Sequence, residues 1–342
     1  MCGEQDASHV PKPCFYRLPA KRTSEHGKTL YMILVTGGAG FIGQRLIRRL
    51  VEEGNQIRIL IRPSPTSPEL PKGVSVEAAI SGLADTRGVR AALVGIDTVF
   101  HLAGADWVDP RDDIRTIEIE GTRNLLEAAQ DAKVRRLIYI SQLDADRAAG
   151  FPVLKAKGIA EEFIRQSPIP YTIIRSALVF GPGDRFTTRL AQLMAFSPRI
   201  FPLPGEGDTL LQPLWVEDLV SCLSWSLEEE NVIGKTIEIG GPEHLSYRQI
   251  IETVLQKTRM ERILQPIRPS YLRVLIGTLH YLMPRLPISN LWLDYLAADR
   301  ICELDNLTRL FNLMPARFEQ KLEYLAGEDW NILRPRRAKR TA

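Results

Sequence analysis

The stretch MILVTGGAGFIG, residues 32–43, decides the fold. Its first residues are apolar and predict a buried strand, and the residues after it have the spacing of an amphipathic helix. Between strand and helix, glycines stand at positions 37, 40 and 43. Gly37 permits a sharp exit from the strand, Gly40 lets backbone N–H groups approach a phosphate, and Gly43 lets the helix pack close to the sheet. The stretch therefore predicts a phosphate-binding turn.

The context of this turn indicates its ligand. A helix that begins here directs backbone N–H groups and the positive end of its dipole at a pyrophosphate. Glycine spacing alone is a weak signal, but a strand before it and a helix after it are the context that dinucleotide binding requires. We predict a bound nicotinamide dinucleotide, in preference to a glycine-rich turn without ligand. The residues expected to contact it are Thr36, Gly37, Gly38, Gly40, Phe41, Ile42 and Gly43.

A basic residue ends the second predicted strand. The apolar run Ile57–Ile61 is followed directly by Arg62. An acidic residue at this place holds the ribose 2′-hydroxyl of NAD, whereas an arginine suits a 2′-phosphate. The sequence therefore favours NADP(H) over NAD(H). The alternative is that Arg62 is a solvated charge at the end of a strand.

Composition restricts the class of protein. Of the 342 residues, 44% are hydrophobic and 25% are charged, which provides enough apolar material for a folded core. Basic residues from Arg334 to Arg340, with a small excess in residues 1–30, account for more than the whole net charge of +3. The body is thus slightly acidic, which argues against a nucleic-acid-binding face. The 4 cysteines have no repeated spacing, so we expect neither a disulfide framework nor a metal site.

Short apolar runs alternate with segments of helical periodicity in the first half of the chain. Strands that are apolar throughout are buried on both faces, as in a parallel sheet covered by helices on each side. The predicted fold class is α/β, a Rossmann doubly wound parallel sheet with helices on both faces and a small C-terminal lobe. The predicted strands are Ile33–Val35, Ile57–Ile61, Val74–Ala79, Thr98–Leu102, Leu137–Ile140 and Tyr171–Val179.

Changes in sequence character indicate the domain boundaries. Residues 1–31 are predicted as a disordered extension before a natural start at Met32, and residues 32–180 as the NAD(P)-binding Rossmann domain. Residues 181–330 are predicted as a small C-terminal lobe interleaved with the last sheet strands, and residues 331–342 as a basic tail. The sequence has no secretory signal and no apolar run of the ~20 residues that span a bilayer. The expected location is cytoplasmic, with a peripheral position at a membrane as the alternative.

Seven motifs resemble the short-chain dehydrogenase/reductase superfamily, in its extended or atypical, epimerase/dehydratase-like branch. The resemblance runs from Met32 to about Leu325 and implies a seven-stranded Rossmann sheet with a lobe that closes over the cofactor. It also implies that Leu102, Ala103 and Gly104 line the cofactor. The motifs are TGGAGFIG at 36–43, DTVFHLAG at 97–104, EGTRNLLEAA at 120–129, RRLIYISQL at 135–143, VFGPGD at 179–184, LQPLWVEDLV at 211–220 and GKTIEIGGPEHLSYRQI at 234–250.

Within that superfamily the motifs are most similar to the subgroup that contains the NADPH-binding 39-kDa accessory subunit of respiratory complex I. This resemblance implies a possible role beside a protein partner, a respiratory or other membrane-associated complex. The adenine end departs from the family pattern, because Gly82 stands where relatives commonly carry an aspartate. Adenine recognition is therefore predicted to rest on Leu83 and backbone groups.

The resemblance also implies a catalytic tetrad, of which this chain keeps one member. The superfamily's reductases move a proton through a tyrosine hydroxyl whose pKa a neighbouring lysine lowers, with a serine and an asparagine in support. The lysine position, which by this resemblance also holds the cofactor ribose, is Lys157. The tyrosine position is Val153 and the serine position is Gln142. The asparagine position is Glu118. A slip of one residue would bring Ser141 to the serine position but would restore no tyrosine.

Several further residues have a structural interpretation beside a functional one. His101 lies in a predicted strand, so we expect a satisfied core histidine, and Tyr139 is expected to pack in the core. Asp184 follows Pro182-Gly183 and is predicted as a turn residue. The carboxylates of residues 106–113 crowd one loop, where solvation is favoured over a role toward a substrate. Trp107 in that loop could cover a nicotinamide or a partner, and both alternatives stay open.

Two functions of different class follow. The first is a protein that holds NADP(H) without turnover, as an accessory subunit, an assembly factor or a redox sensor. The second is an NADPH-dependent oxidoreductase or isomerase of a small substrate, with a proton from water, Glu118 or an aspartate of residues 106–113 in a tyrosine-independent mechanism. A nucleotide-sugar epimerase or dehydratase is a weaker third, because those enzymes need the tyrosine. The absence of that tyrosine from the predicted position favours the first.

Overall fold

Parallel strands form the centre of the molecule. The computed structural model describes residues 22–23, 29–64, 70–71, 73–104, 113–197, 199–282 and 290–330. Seven strands pair in the order β7-β6-β5-β4-β1-β2-β3, and each neighbouring pair is parallel. This doubly wound sheet confirms the predicted fold class. The strands are β1 Met32–Thr36, β2 Gln56–Ile61, β3 Glu77–Ile80, β4 Thr98–His101, β5 Arg136–Gln142, β6 Tyr171–Ser176 and β7 Lys235–Ile239.

Helices cover both faces of this sheet because successive residues of a strand point to opposite faces. Ile33 and Val35 of β1 pack in one core with Leu46 of α1 and Leu219 of α6. Leu34 packs in the other core with side chains of α2, α3 and α4. The covering helices are α1 Phe41–Glu52, α2 Thr86–Ala92, α3 Gly121–Asp131, α4 Pro152–Gln166 and α6 Val216–Trp225.

The remaining elements pack around a third apolar core that includes Phe180, Phe318 and Leu322. Strand β7 comes from the same C-terminal part of the chain as these elements, and it pairs with β6. The last strand of the sheet is therefore provided by residues after 181. The helices are α5 Thr187–Phe196, α7 Tyr247–Thr258, α8 Pro269–Leu282, α9 Asn290–Tyr295 and α10 Asn306–Phe311, with short 3-10 turns at Glu230–Val232, Glu319–Lys321 and Glu323–Leu325. Two-stranded pairs join Ile200–Pro204 to Ile263–Ile267, Val179–Phe180 to Leu214–Trp215, and Leu210–Leu211 to Leu245–Ser246.

Several predicted elements have different bounds in the structure. The strand expected at 74–79 begins at Glu77, where pairing with Arg58 starts. The strand expected at 171–179 ends at Ser176, and Val179–Phe180 pairs with another segment. A π-helix, Arg115–Glu120, directly precedes α3. Within the predicted extension, Arg22–Thr23 and Thr29–Leu30 pair antiparallel, and most other residues of 1–31, like the basic tail, lie outside the described residues.

Helix α8 exposes apolar side chains on one face. The sequence predicts a core or interfacial helix here, because Arg273 and His280 interrupt the run. Leu272 and Ile276 are buried, whereas a second face is exposed to solvent. No helix among the described residues is long and apolar enough to cross a membrane. The exposed residues are Tyr271, Val274, Leu275, Tyr281 and Leu282.

Asp184 joins the loop after β6 to the C-terminal segment. Its N–H donates to Gly181 O at 2.9 Å, as a turn requires, which confirms the predicted turn. Its buried carboxylate also accepts hydrogen bonds from the hydroxyl of Thr187 at 2.8 Å and the N–H of Thr188 at 2.9 Å. The hydroxyl of Tyr324 donates to the same carboxylate at 3.3 Å. One side chain therefore connects the start of α5 to the 3-10 turn Glu323–Leu325.

We expect Asp184→Ala to lower the free energy of unfolding by about 2–4 kcal/mol, because it leaves several buried donors without an acceptor. Urea unfolding followed by circular dichroism measures this change. The matched control is Asp305→Ala, since Asp305 is exposed and its side chain makes no cap hydrogen bond among the described residues. An Asp184→Ala loss no larger than the control's would contradict the assignment.

Candidate functional site

The glycine turn brings two backbone segments together at the carboxyl edge of the sheet. Gly37 has φ of +73°, a conformation in which a Cβ is strained. A Cβ at Gly37 would lie 2.7 Å from the nitrogen of Ala103, and one at Gly43 would lie 2.4 Å from the carbonyl oxygen of Gly37. A Cβ at Gly38 would meet Ile59 at 2.6 Å, so that glycine faces the core. The spacing of these glycines thus reflects contacts that exclude a larger residue.

The first turn of α1 has the features of an anion site. Gly40 is its N-cap, and no side chain among the described residues caps it. The amide N–H groups at the start of α1 therefore have no partner within the helix, and a phosphate can accept their hydrogen bonds. Phe41 and Ile42 lie in this turn, as the motif predicts. Because β1 and β4 are where the strand order reverses, the turn also lies at the crevice in which doubly wound sheets bind ligands.

Two predicted cofactor residues lie farther along the same edge. Arg62 follows β2, which pairs in register with β1, and its side chain is exposed. Leu83 lies in the loop after β3, and its carbonyl oxygen accepts a hydrogen bond from the side chain of Asn124 at 3.0 Å. A Cβ at Gly121 would lie 2.9 Å from the Cβ of Leu83, so this loop packs on the start of α3. Both residues remain predictions as cofactor contacts.

Glu118, Lys157 and Tyr139 form a buried polar cluster beside residue 104. The ammonium of Lys157 lies 3.2 Å from Oε2 of Glu118 and 5.3 Å from the ring centroid of Tyr139. The Tyr139 hydroxyl donates to Glu118 Oε2 at 3.3 Å. A Cβ at Gly104 would lie 2.7 Å from Oε1 of Glu118 and 3.3 Å from the Lys157 nitrogen. Glycine at position 104 therefore lets the carboxylate and the ammonium approach the predicted cofactor segment.

His101 connects this cluster to the glycine turn through two threonines. The Thr122 hydroxyl donates to the carbonyl oxygen of Glu118 at 2.6 Å, so its oxygen accepts from Nε2–H of His101 at 3.0 Å. The Nδ1 atom then accepts from the Thr36 hydroxyl at 2.7 Å, and the Thr36 oxygen accepts from the N–H of Ala103 at 3.3 Å. This network assigns the proton to Nε2. Both ring nitrogens are satisfied, which confirms the core histidine.

Burial fixes the protonation states in this region. Complete burial, with a smaller effect of the Lys157 charge, lowers the pKa of His101 from 6.5 to about 3. Burial also raises the pKa of Tyr139 well above its usual range, and the negative charge of Glu118 raises it further. His101 is thus neutral and Tyr139 protonated near neutral pH. The packing expected for Tyr139 is present, but its hydroxyl also completes the hydrogen bonding of Glu118.

The predicted tyrosine and serine positions meet at a small apolar cavity. Val153 lies one turn before Lys157 in α4, and its side chain shares this cavity with Gln142. The cavity has a volume of about 20 Å³, which is close to the space of one water molecule. Ser141 precedes Gln142 and does not line the cavity; its buried hydroxyl has no partner among the described residues. The other lining residues are Phe151, Pro152, Leu154, Leu291, Asp294 and Tyr295.

Sequence reasoning missed the contribution of α9 to this cavity. Tyr295 lies more than a hundred residues after Gln142, in a segment that no motif marks. The guanidinium carbon of Arg300 lies 5.5 Å from the ring centroid of Tyr295.

No group of three or more metal-ligating side chains occurs among the described residues. Residues 106–112, with Trp107 and three of the loop carboxylates, lie outside the described residues, and Asp113 accepts from the Thr116 hydroxyl.

Comparison with known proteins identifies the ligand class. Residues 37–189 match a family model described as NAD(P)H-binding. The chain is 25% identical over 236 residues to NADH dehydrogenase (ubiquinone) 1 alpha subcomplex subunit 9, mitochondrial, of Arabidopsis thaliana, which is 66% of this chain and 57% of that protein. It is 29% identical over 192 residues to ceramide reductase of Caulobacter vibrioides, which is 56% of this chain and 59% of that protein. The chain thus spans less than two thirds of the length of these two relatives.

The fold also matches solved structures. An epimerase from Methanothermobacter thermautotrophicus superposes with a TM-score of 0.68 and 21% sequence identity, over 86% of this chain and 90% of that chain. At this identity the likeness shows the fold alone. The family match, described as NAD(P)H-binding, is what supports a nicotinamide dinucleotide as the ligand of the glycine turn.

The depressed pKa of His101 predicts a loss of stability in acid. Unfolded histidine takes up a proton as pH falls through 6.5, whereas folded His101 stays neutral down to about 3, so falling pH favours the unfolded chain. Between pH 7 and pH 5 this linkage lowers the free energy of unfolding by about 2 kcal/mol. We expect His101→Gln, which keeps one donor and one acceptor, to remove that part of the pH dependence. Urea unfolding of both proteins at the two pH values measures it, and equal losses in both would refute the linkage.

Proposed function

We propose, from the premise that the chain belongs to the atypical branch of the short-chain dehydrogenase/reductase superfamily, that it holds NADP(H) as a resident ligand without turnover. One observation carries the proposal. Lys157 lies 3.2 Å from Glu118, while Val153 stands at the predicted tyrosine position. A lysine lowers the pKa of a catalytic phenol through its uncompensated charge, and here a carboxylate offsets that charge beside a side chain that cannot transfer a proton.

The residues at the sheet edge fit the dinucleotide. The N–H groups of the first turn of α1 would hold the pyrophosphate, and the closeness of Gly104 to Lys157 would let the ammonium reach a ribose hydroxyl. When bound, the cofactor supplies a transferable hydride. A ligand that binds only the folded chain adds to its stability by mass action, so affinity for NADP(H) would stabilise the fold. This is the physical basis of a structural or redox-sensing role.

The accessory part of the proposal needs a surface for a partner, and α8 has one. Its exposed side chains Tyr271, Val274 and Tyr281 lie on a face opposite the buried Leu272 and Ile276. Exposed apolar patches of this kind mark interaction sites in soluble proteins. The Arabidopsis relative is named as a subunit of an NADH dehydrogenase subcomplex, so the proposed partner is another subunit of such a complex.

The preference for NADP(H) is tested by exchanging the charge at Arg62. We expect Arg62→Asp to weaken NADPH binding at least tenfold and to improve NADH binding, because the arginine would pair with the 2′-phosphate and the aspartate would accept from a 2′-hydroxyl. Fluorescence titration gives both dissociation constants. The control is Arg309→Gln, an exposed arginine on α10 that pairs with Glu303. Tighter binding of NADH than NADPH by the wild-type protein would contradict the preference.

A second candidate function is reduction of a small substrate, and one observation favours it. The ring of Tyr295 lines the cavity that Val153 and Gln142 share, and Arg300 provides a nearby cation. This tyrosine comes from α9 and could replace the missing phenol as proton donor. Against it, burial raises the pKa of Tyr295 far above neutral pH, and the cavity is too small for a substrate without movement of α9.

Turnover measurements separate the two candidates. We expect NADPH to bind and to show no oxidation above background with a panel of ketones, aldehydes and quinones. The absorbance of NADPH at 340 nm, measured at steady state, follows the reaction. Glu118→Gln and Tyr295→Phe serve as variants in the same assay. Oxidation by the wild-type protein that Tyr295→Phe abolishes, with NADPH affinity retained, would establish the reductase and overturn the non-catalytic proposal.

A further inference from the structure

Arg300 is a buried cation whose hydrogen bonding is incomplete. It is 3% exposed and lies between α9 and α10. Its Nη1 atom donates to the carboxylate of Asp144 at 2.6 Å. Its Nε and Nη2 atoms are buried and have no hydrogen-bond partner among the residues that the structure describes. Buried guanidinium donors without an acceptor are costly, so this arrangement calls for a partner.

The two unpartnered atoms lie on the same edge of the guanidinium. Nε–H and one N–H of Nη2 point in parallel, and this edge matches the two oxygens of a carboxylate in bidentate geometry. Asp144 occupies the other side of the group through Nη1, and its own side chain is half exposed. The ion pair therefore holds the guanidinium in place and leaves the recognition edge available.

The surroundings of Arg300 define the rest of the ligand. Its guanidinium carbon lies 5.5 Å from the ring centroids of both Phe151 and Tyr295. Both rings also line the small cavity, together with Val153, Leu154 and other apolar side chains. The one acid that lines the cavity, Asp294, already pairs with Arg273. A negatively charged head beside Arg300 would thus meet no uncompensated carboxylate from the cavity wall.

We propose that Arg300 is a second ligand site, which takes the carboxylate of a molecule with an apolar tail, and that the tail enters the cavity between Phe151 and Tyr295. This site is separate from the glycine turn and needs no hydride transfer. Binding requires α9 to move, because the cavity in its present form holds only about 20 Å³. The ligand would then bridge the loop after β5 and the helices that follow residue 290.

Sodium octanoate is the probe, measured by isothermal titration calorimetry on the full chain with and without NADPH. We expect saturable binding of octanoate and none of 1-octanol, which has the same tail without the charge. Arg300→Lys keeps the charge but loses the bidentate edge, and Arg300→Met keeps only the stem. Both should weaken octanoate binding at least tenfold, whereas the control Arg309→Gln should leave the dissociation constant unchanged.

Two further measurements distinguish loss of the ligand site from a variant that fails to fold. Leu291→Trp fills the cavity without touching the charge of Arg300, and it should also weaken octanoate binding tenfold or more. Circular dichroism establishes that each variant is folded. The proposal is overturned if octanoate fails to bind the wild-type protein or if Arg300→Met binds octanoate with unchanged affinity. It is also overturned if the wild-type protein binds octyl phosphate and not octanoate. If the wild-type protein binds octanoate but not NADPH, the proposed function is refuted and the proposal for Arg300 stands.

Discussion

The ion pair between Glu118 and Lys157 is the interaction on which the edge of the sheet depends. Both side chains are almost fully excluded from water, and each charge is tolerated there because the other lies 3.2 Å away. Removing one partner from such a pair typically costs about 3–5 kcal/mol, since the remaining charge stays buried without compensation. The pair joins the π-helix before α3 to α4, and a Cβ at position 104 would lie only 2.7 Å from Oε1 of Glu118. A local glycine thus permits a contact between two helices.

The same edge is stiffened by a second network that carries no charge. His101 is neutral, and its two nitrogens join Thr36 at the end of β1 to Thr122 at the start of α3. The backbone of Ala103 is included through the Thr36 hydroxyl. The glycine turn, residues 102–104 and the helix of Glu118 are therefore held by hydrogen bonds before any ligand arrives. Preorganised backbone N–H groups bind a phosphate at lower entropic cost than a mobile loop would.

The sequence predicts the sheet and the glycine turn well because both depend on local patterns. A buried strand needs a run of apolar residues, and the turn needs glycines at fixed spacing, as at Gly37 and Gly43. Element ends were less predictable, since pairing decides them: Val74 has strand character, but the pairing of β3 begins at Glu77. Local side-chain chemistry also fixes the start of α7, where the Ser246 hydroxyl accepts from Gln249 N–H in a capping box.

The site beyond the turn was only partly predictable. Glu118 and Lys157 could be placed by family motifs, yet nothing in their spacing of 39 residues indicates an ion pair. Tyr139 reads as a core residue from its strand, and its hydrogen bond to Glu118 depends on how a π-helix positions that carboxylate. The sequence did not indicate a role for Tyr295 or Arg300, because that role depends on the packing of α9 against the loop after β5. Contacts between segments so distant in the chain are set by tertiary structure, which local pattern does not encode.

The distribution of positive charge is the physical argument behind the proposed function. A lysine that activates a phenol must keep its charge uncompensated toward that phenol, because the electrostatic effect on the pKa is what lowers the barrier. In this chain Glu118 offsets the charge of Lys157, and Tyr139, the phenol in contact with the pair, has its pKa raised. Arg300 is a buried cation near the cavity with two donors that have no partner among the residues that the structure describes, and it lies against Phe151 and Tyr295. The charge of Lys157 is therefore compensated at the sheet edge, whereas Arg300, in the C-terminal half, keeps two buried donors without a partner among the described residues.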